Sequence, residues 1–181
     1  IKFESNLRVA ETYSQYDKEV DTASADHSEE LDALQSSSNI SLVYEPNSQF
    51  TNKLTLANAY IERIAAETPS SGNTAQDNYY GTRYGFMYSG NYNFNLDNSV
   101  VFGFEREEDK MGYNKNMTGR IDDHAYVTST YFDYQSRVTN NIYATFGSRF
   151  DEHKHAGNED SHRATLAYLF DDKTTKLKSS Y

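Results

Sequence analysis

Three groups of residues carry donor atoms close enough along the chain to do chemistry. The first is the acidic stretch 17–32, where Asp17, Glu19, Asp21, Asp26, Glu29, Glu30 and Asp32 surround His27. Carboxylate oxygens are hard ligands, so this stretch can gather Ca²⁺, with Asp21, Asp26, Glu30 and Asp32 as the expected ligands. The spacing matches no EF-hand, and no glycine stands where such a loop must turn, so a solvated acidic loop fits the same residues. A ligand could also meet this stretch, through Asp17, Asp21, Asp26 and Glu29. The second group is His153, His155 and His162 with Asp151, Glu152, Glu159 and Asp160. Imidazoles this close suit a transition metal, or simply a polar turn. The third is Glu107, Glu108 and Asp109, paired carboxylates of the kind used in acid–base work. No nucleophile elbow, Walker loop, H-E-x-x-H or G-x-G-x-x-G motif accompanies them, so no enzyme is expected.

Strands must position these groups. In residues 1–17, Ile1, Phe3, Leu7, Val9 and Tyr13 alternate with Lys2, Glu4, Asn6 and Arg8, the two-residue period of a strand with one apolar side. The clearest run is 79–94. There Tyr80, Tyr84, Phe86, Tyr88, Tyr92 and Phe94 alternate with Gly81, Arg83, Gly85, Ser89, Asn91 and Asn93. The same alternation marks 38–45, 99–106, 124–136, 141–151, 162–171 and 173–181. Residues 52–65 are ambiguous. Leu54, Leu56 and Tyr60 share a side, but Ala57, Ala59 and Ile61 make the other side apolar too, and a short helix is the alternative.

That makes about nine strands, and their connections alternate in length. Short ones fall at 45–49, 96–98, 138–141 and 171–173, long ones at 18–37, 67–78, 107–122 and 153–161. Tight turns at one end and long loops at the other are expected of an antiparallel up-and-down transmembrane β-barrel. A Greek-key sandwich has no reason to sort its loops this way. Bacterial barrels generally have an even number of strands, so residues 1–181 are expected to form one segment of a larger barrel, although eight strands could in principle close alone.

Composition narrows the classes further. Of 181 residues 36% are hydrophobic and 14% aromatic, and the mean hydropathy is -0.86. So many aromatics argue against disorder. No run of about 18 apolar residues exists to make a transmembrane helix, but a membrane strand needs an apolar residue only at every second position. The absence of cysteine excludes disulfides and thiolate metal sites. A net charge of -10 repels phosphate backbones, so nucleic acid is not an expected partner.

The aromatic sides are expected to contact lipid, with tyrosines at the two interfaces. Tyr80 and Tyr92 would lie roughly 30 Å apart along the membrane normal at the usual rise and tilt. Arg8, Arg83, Arg149 and Arg163 then face a wet interior, where inward charges, Arg83 and Arg149 among them, are expected to guide an anionic or metal-complex ligand or to contact a plug. The acidic loops would lie outside, bridged to lipopolysaccharide by divalent ions. The expected location is the bacterial outer membrane.

One part of the chain carries more specific motifs. An aromatic-sided strand and polar turn from Tyr131 to Asn141 precede G-x-R-[FY]-D-x-H at Gly147, Arg149, Phe150, Asp151 and His153. Then come [ST]-x-R-x-x-L-x-Y at Ser161, Arg163, Leu166 and Tyr168, and K-L-K-x-S-Y at Lys176 to Tyr181. In this order, residues 131–181 resemble the barrel of TonB-dependent outer-membrane receptors, most of all the cobalamin-receptor branch. The resemblance implies a barrel of about 22 strands, filled by an N-terminal plug and energised from an inner-membrane complex through a TonB box. It implies uptake of a scarce small-molecule nutrient such as cobalamin or a ferric chelate, and calcium in extracellular loops. These residues contain neither a plug-like domain nor a TonB box, so they would supply part of the wall. Two other readings stay open: a passive porin-like barrel, and a soluble all-β carbohydrate-binding module that uses the aromatic side for stacking.

Overall fold

The alternation is realised as a single sheet. A computed structural model describes residues 1–17, 28–68, 75–115, 119–171 and 174–181. They form β1 (Lys2–Asp17), β2 (Ser28–Asn47), β3 (Phe50–Thr68), β4 (Ala75–Asn93), β5 (Asn98–Lys115), β6 (Gly119–Arg137), β7 (Ile142–His153), β8 (Gly157–Leu169) and β9 (Lys176–Ser180). Each strand pairs antiparallel with the next, in the order β1 to β9. Among the described residues β1 and β9 do not pair with each other, so the sheet is open. The ambiguous residues 52–65 lie wholly in β3, hydrogen-bonded to β2 and β4 on both sides. Ala57, Ala59 and Ile61 look out of pattern only because small and apolar residues stand on the otherwise polar side.

Among the described residues no second layer covers the sheet. Among the described residues the buried hydrophobic side chains amount to Ala167 alone. Phe3 is 64% exposed, Leu7 76% and Leu166 57%. Burial of apolar side chains in a core drives the folding of water-soluble domains. Apolar surface left open on this scale marks a face that another medium or partner must cover.

The strands outrun the hydrophobic pattern. β2 begins at Ser28, β5 continues to Lys115 and β8 begins at Gly157. Of the expected loops at 18–37, 107–122 and 153–161, residues 28–37, 107–115, 119–122, 153 and 157–161 are therefore strand. Beyond the apolar zone both sides are wet, so alternation fades while the ladder of backbone hydrogen bonds continues. The connection after β7 shrinks to a turn at 154–156, closed by Gly157 at φ 83°, the left-handed residue typical of a three-residue hairpin loop. Gly157→Val is expected to cost about 1–2 kcal/mol in urea unfolding. Gly119→Ala, where an added methyl meets nothing within 4 Å, should leave the midpoint in place.

Side chains close the short turns at the opposite end. Asn47 Oδ1 accepts the amide protons of Gln49 and Phe50, both at 2.9 Å. Asn95 Oδ1 accepts that of Asp97 at 2.9 Å, and Thr139 Oγ1 that of Ile142 at 3.1 Å. Asn and Thr serve here because a short polar side chain can stand in for a backbone acceptor.

Candidate functional site

Directly paired residues in an antiparallel sheet share a face, so the register sorts every side chain. From Phe3 it passes through Leu42, Leu54, Tyr88, Phe104, Thr130 and Phe150 to Asp160. From Arg8 it passes through Ser37, Ala59, Arg83 and Asp109 to Ala125. Arg149 lies opposite Tyr131, and Arg163 opposite Gly147. The same count puts Arg8, Arg83, Arg149 and Arg163 on one face and the aromatic ladder on the other, as the alternation predicts.

On the apolar face the hydrophobic residues form a slanted belt. The row that begins at Phe3 on β1 reaches Asp160 on β8, where the apolar residues, Leu166 and Tyr168, lie about six to eight positions nearer the short turns. The belt thus slips about one residue per strand. With a rise of ~3.3 Å and a spacing of ~4.8 Å, a level belt requires strands tilted by roughly 35–40°, the tilt of membrane barrels. Phe50 meets Tyr92 with ring centroids 5.9 Å apart, Tyr92 meets Phe94 at 4.9 Å, and Phe94 meets Tyr134 at 6.4 Å. These rings line the short-turn edge of the belt. Tyr84 and Tyr126 line the other edge. From Phe94 to Tyr84 the belt stands about 25 Å tall at that tilt, the height of the apolar band of a membrane barrel. Among the described residues no helix is long and apolar enough to cross a membrane.

The polar face is a lattice of charge pairs. Arg83 makes a bidentate contact with Asp109, Nε to Oδ1 at 2.6 Å and Nη2 to Oδ2 at 2.8 Å, and Nη1 lies 3.3 Å from Glu107. Arg149 donates to Asp151 at 2.9 Å, to Glu105 at 3.0 Å and to Ser129 at 2.8 Å, with its guanidinium 5.9 Å from the centre of the Tyr131 ring. Arg163 reaches across β7 to the buried Asp133, with Nε 2.9 Å from Oδ2. It passes over Gly147, where a Cβ would stand 2.7 Å from that same oxygen. This explains glycine in the Gly147–Arg149 motif. Arg163→Gln is expected to destabilise by roughly 1 kcal/mol, because it strips a buried carboxylate of its partner at a solvent-exposed end. Adding Asp133→Asn should recover most of that loss, and a double-mutant cycle in urea measures it.

A groove of about 630 Å³ opens on this face, with Ala10, Ala59, Ile61 and Gly81 along its floor and Arg8, Arg83 and Asp109 at its edge. Its size suits a small ligand. Arg83 therefore stands at a groove, but with its charge already compensated by two carboxylates. Arg149 lies three strands and six rows away, about 25 Å by strand spacing, so the two arginines do not share a site.

The acidic stretch divides. Residues 18–27, with Glu19, Asp21, Asp26 and His27, lie outside the described residues, as does the side chain of Asp17. Glu29 is buried on the polar face, and Glu30 and Asp32 stand on the opposite one. Glu30 accepts a hydrogen bond from Gln15 at 2.9 Å. The histidine group divides as well. His153 belongs to the polar face and His162 to the apolar one, where His162 bonds Ser148 at 2.7 Å and Asp160 at 3.0 Å. Among the described residues no three His, Asp or Glu side chains gather as a metal would require. Glu107 and Asp109 face Arg83, while Glu108 points the other way to Lys110, 3.1 Å distant. The groove escaped sequence reasoning because its floor draws single residues from several strands. The signal was there in Ala59 and Ile61.

No protein-family model matches the sequence, and no curated protein does. Among solved structures, two states of the RagAB peptide importer are similar. The "open-open" state gives a TM-score of 0.66 at 10% identity, over 85% of this chain and 22% of that one. The "closed-closed" state gives 0.68 at 11%, over 85% and 22%. The P. putida toluene transporter TodX aligns over 99% of this chain and 63% of its own at 10% identity, with a TM-score of 0.39. The chain thus spans about a fifth of the length of the RagAB chains it matches. The likeness shows the fold alone: an antiparallel up-and-down sheet of the kind found in the wall of an outer-membrane β-barrel.

Proposed function

We propose that these strands form part of the wall of a TonB-dependent outer-membrane receptor that takes up a scarce nutrient, cobalamin or a ferric chelate, with the polar face turned to the lumen and the belt to lipid. One observation carries the reading: a single layer with opposite chemistry on its faces and a belt whose slant gives a barrel's tilt. The open edges at β1 and β9 support membership of a larger barrel, since hydrocarbon leaves no backbone group unpaired. The groove at Arg8 and Arg83 is where a ligand would touch this part of the wall. A soluble carbohydrate-binding module would leave the belt in water, at a cost that nothing in the sheet offsets.

Uptake decides the matter. Cells lacking the protein are compared with their parent for uptake of labelled cobalamin and ferric chelates, with and without an uncoupler of the proton-motive force. Loss of energised uptake of one of these supports the proposal. Unchanged uptake of both, uptake insensitive to the uncoupler, or loss confined to peptides contradicts it.

A further inference from the structure

We propose that the apolar face binds the phosphorylated headgroup of an outer-leaflet glycolipid at Arg106 and Lys154, at the edge of the belt away from the short turns. This rests on the reading of that face as lipid-contacting.

Arg83, Arg149 and Arg163 on the polar face are all held by carboxylates. Arg106 and Lys154 differ. Among the described residues neither has a carboxylate at ion-pair distance. Arg106 lies over the Tyr126 ring at 4.5 Å and donates to Thr128 at 2.9 Å. Lys154 donates to the carbonyl of His124 at 2.7 Å, and its amide bonds the carbonyl of Tyr126 at 3.1 Å. Arg106 on β5 and Lys154 after β7 thus flank β6 from both sides, roughly 12 Å apart by strand spacing. A ring face and a hydroxyl orient the guanidinium without neutralising it, which leaves its charge for an anion from outside. Lys110 and Arg120 repeat the arrangement further out, over Tyr84 and Tyr80 at 5.6 and 4.8 Å, though each also holds an acid, Glu108 and Asp122 respectively. Glu152 stands opposite Thr128 as the other acid beside the patch.

A second feature continues from this patch into the belt. A groove of about 450 Å³ opens on the apolar face, with Ile40, Leu56 and Phe86 in its lining and Arg106 at its edge. An acyl chain laid in that groove brings its headgroup phosphate to Arg106. Free phosphate would use the cations and leave the groove empty, so a lipid accounts for both.

The test uses the full protein in phosphatidylcholine nanodiscs doped with an acylated glucosamine disaccharide, either bis-phosphorylated or dephosphorylated. Native mass spectrometry reads the retained lipid. The wild type should retain the phosphorylated form about tenfold more, R106Q/K154Q should lose that preference, and the charge-keeping R106K/K154R and the distant R137Q should keep it. Equal retention of the two lipids, or an unchanged preference in R106Q/K154Q, overturns the inference. So does inorganic phosphate binding as tightly as the lipid, or loss of the preference on chelating divalent cations, which would assign it to bridged carboxylates. A protein that enters nanodiscs and shows heat-modifiable mobility but does not discriminate sinks the headgroup site alone. One that does not enter sinks the wall reading with it.

Discussion

Phe86→Arg should destabilise the protein by roughly 1–3 kcal/mol, the cost of a cation in a barrel's lipid face between its middle and its edge. Met87→Arg, one residue on, should change stability by less than about 1 kcal/mol. Phe86 sits in the belt, with its ring 6.1 Å from that of Phe104. Met87 belongs to the polar face and pairs with Glu105, so an arginine there meets water and a carboxylate. Urea titration of the protein folded into vesicles measures both. Equal costs at the two sites would mean that the faces do not see different media.

The second large effect is expected at Gly103. Tyr131 lies opposite it and lays its ring across the space a side chain would fill. A Cβ there would also stand 2.6 Å from the carbonyl oxygen of Tyr88. A ring can swing aside, but the strand carbonyl is fixed by the ladder, so Gly103→Val should cost about 1–3 kcal/mol or more through overpacking. Displacing Tyr131 also removes the ring beneath Arg149. Adding Tyr131→Ala should relieve only the side-chain part of the loss, and a double-mutant cycle by the same titration separates the two contributions.

Face and strand type were legible wherever one side is apolar and the other polar. Tyr80 to Phe94 announce their strand, because every second residue must be apolar there and the rest are free to be Gly, Ser, Asn or Arg. The placement of Arg8, Arg83, Arg149 and Arg163 on the other face follows from parity alone. What stayed hidden has one physical origin: past the belt both faces are wet, so no pattern separates strand from loop. Ser28 to Ser37 and Glu107 to Lys115 read as loops and pair as strands. Sequence proximity misled in a second way. His153 and His162 look like neighbours, but the three-residue turn at 154–156 leaves them on opposite faces. Glu29 and Glu30 are parted by the pleat itself. The pairing of Arg83 with Asp109 and of Arg149 with Glu105 depends on register, which alternation does not reveal.

The most direct test exploits the lack of native cysteine. Single cysteines placed in turn along 83–89 of the vesicle-embedded protein are probed with a lipid-borne quencher and with a water-soluble maleimide. Positions 84, 86 and 88 should be quenched from the lipid and resist the maleimide, while 83, 85, 87 and 89 should do the reverse. A run with no two-residue period, or one in which the maleimide reaches 84, 86 and 88, would contradict the assignment of the aromatic side to acyl chains.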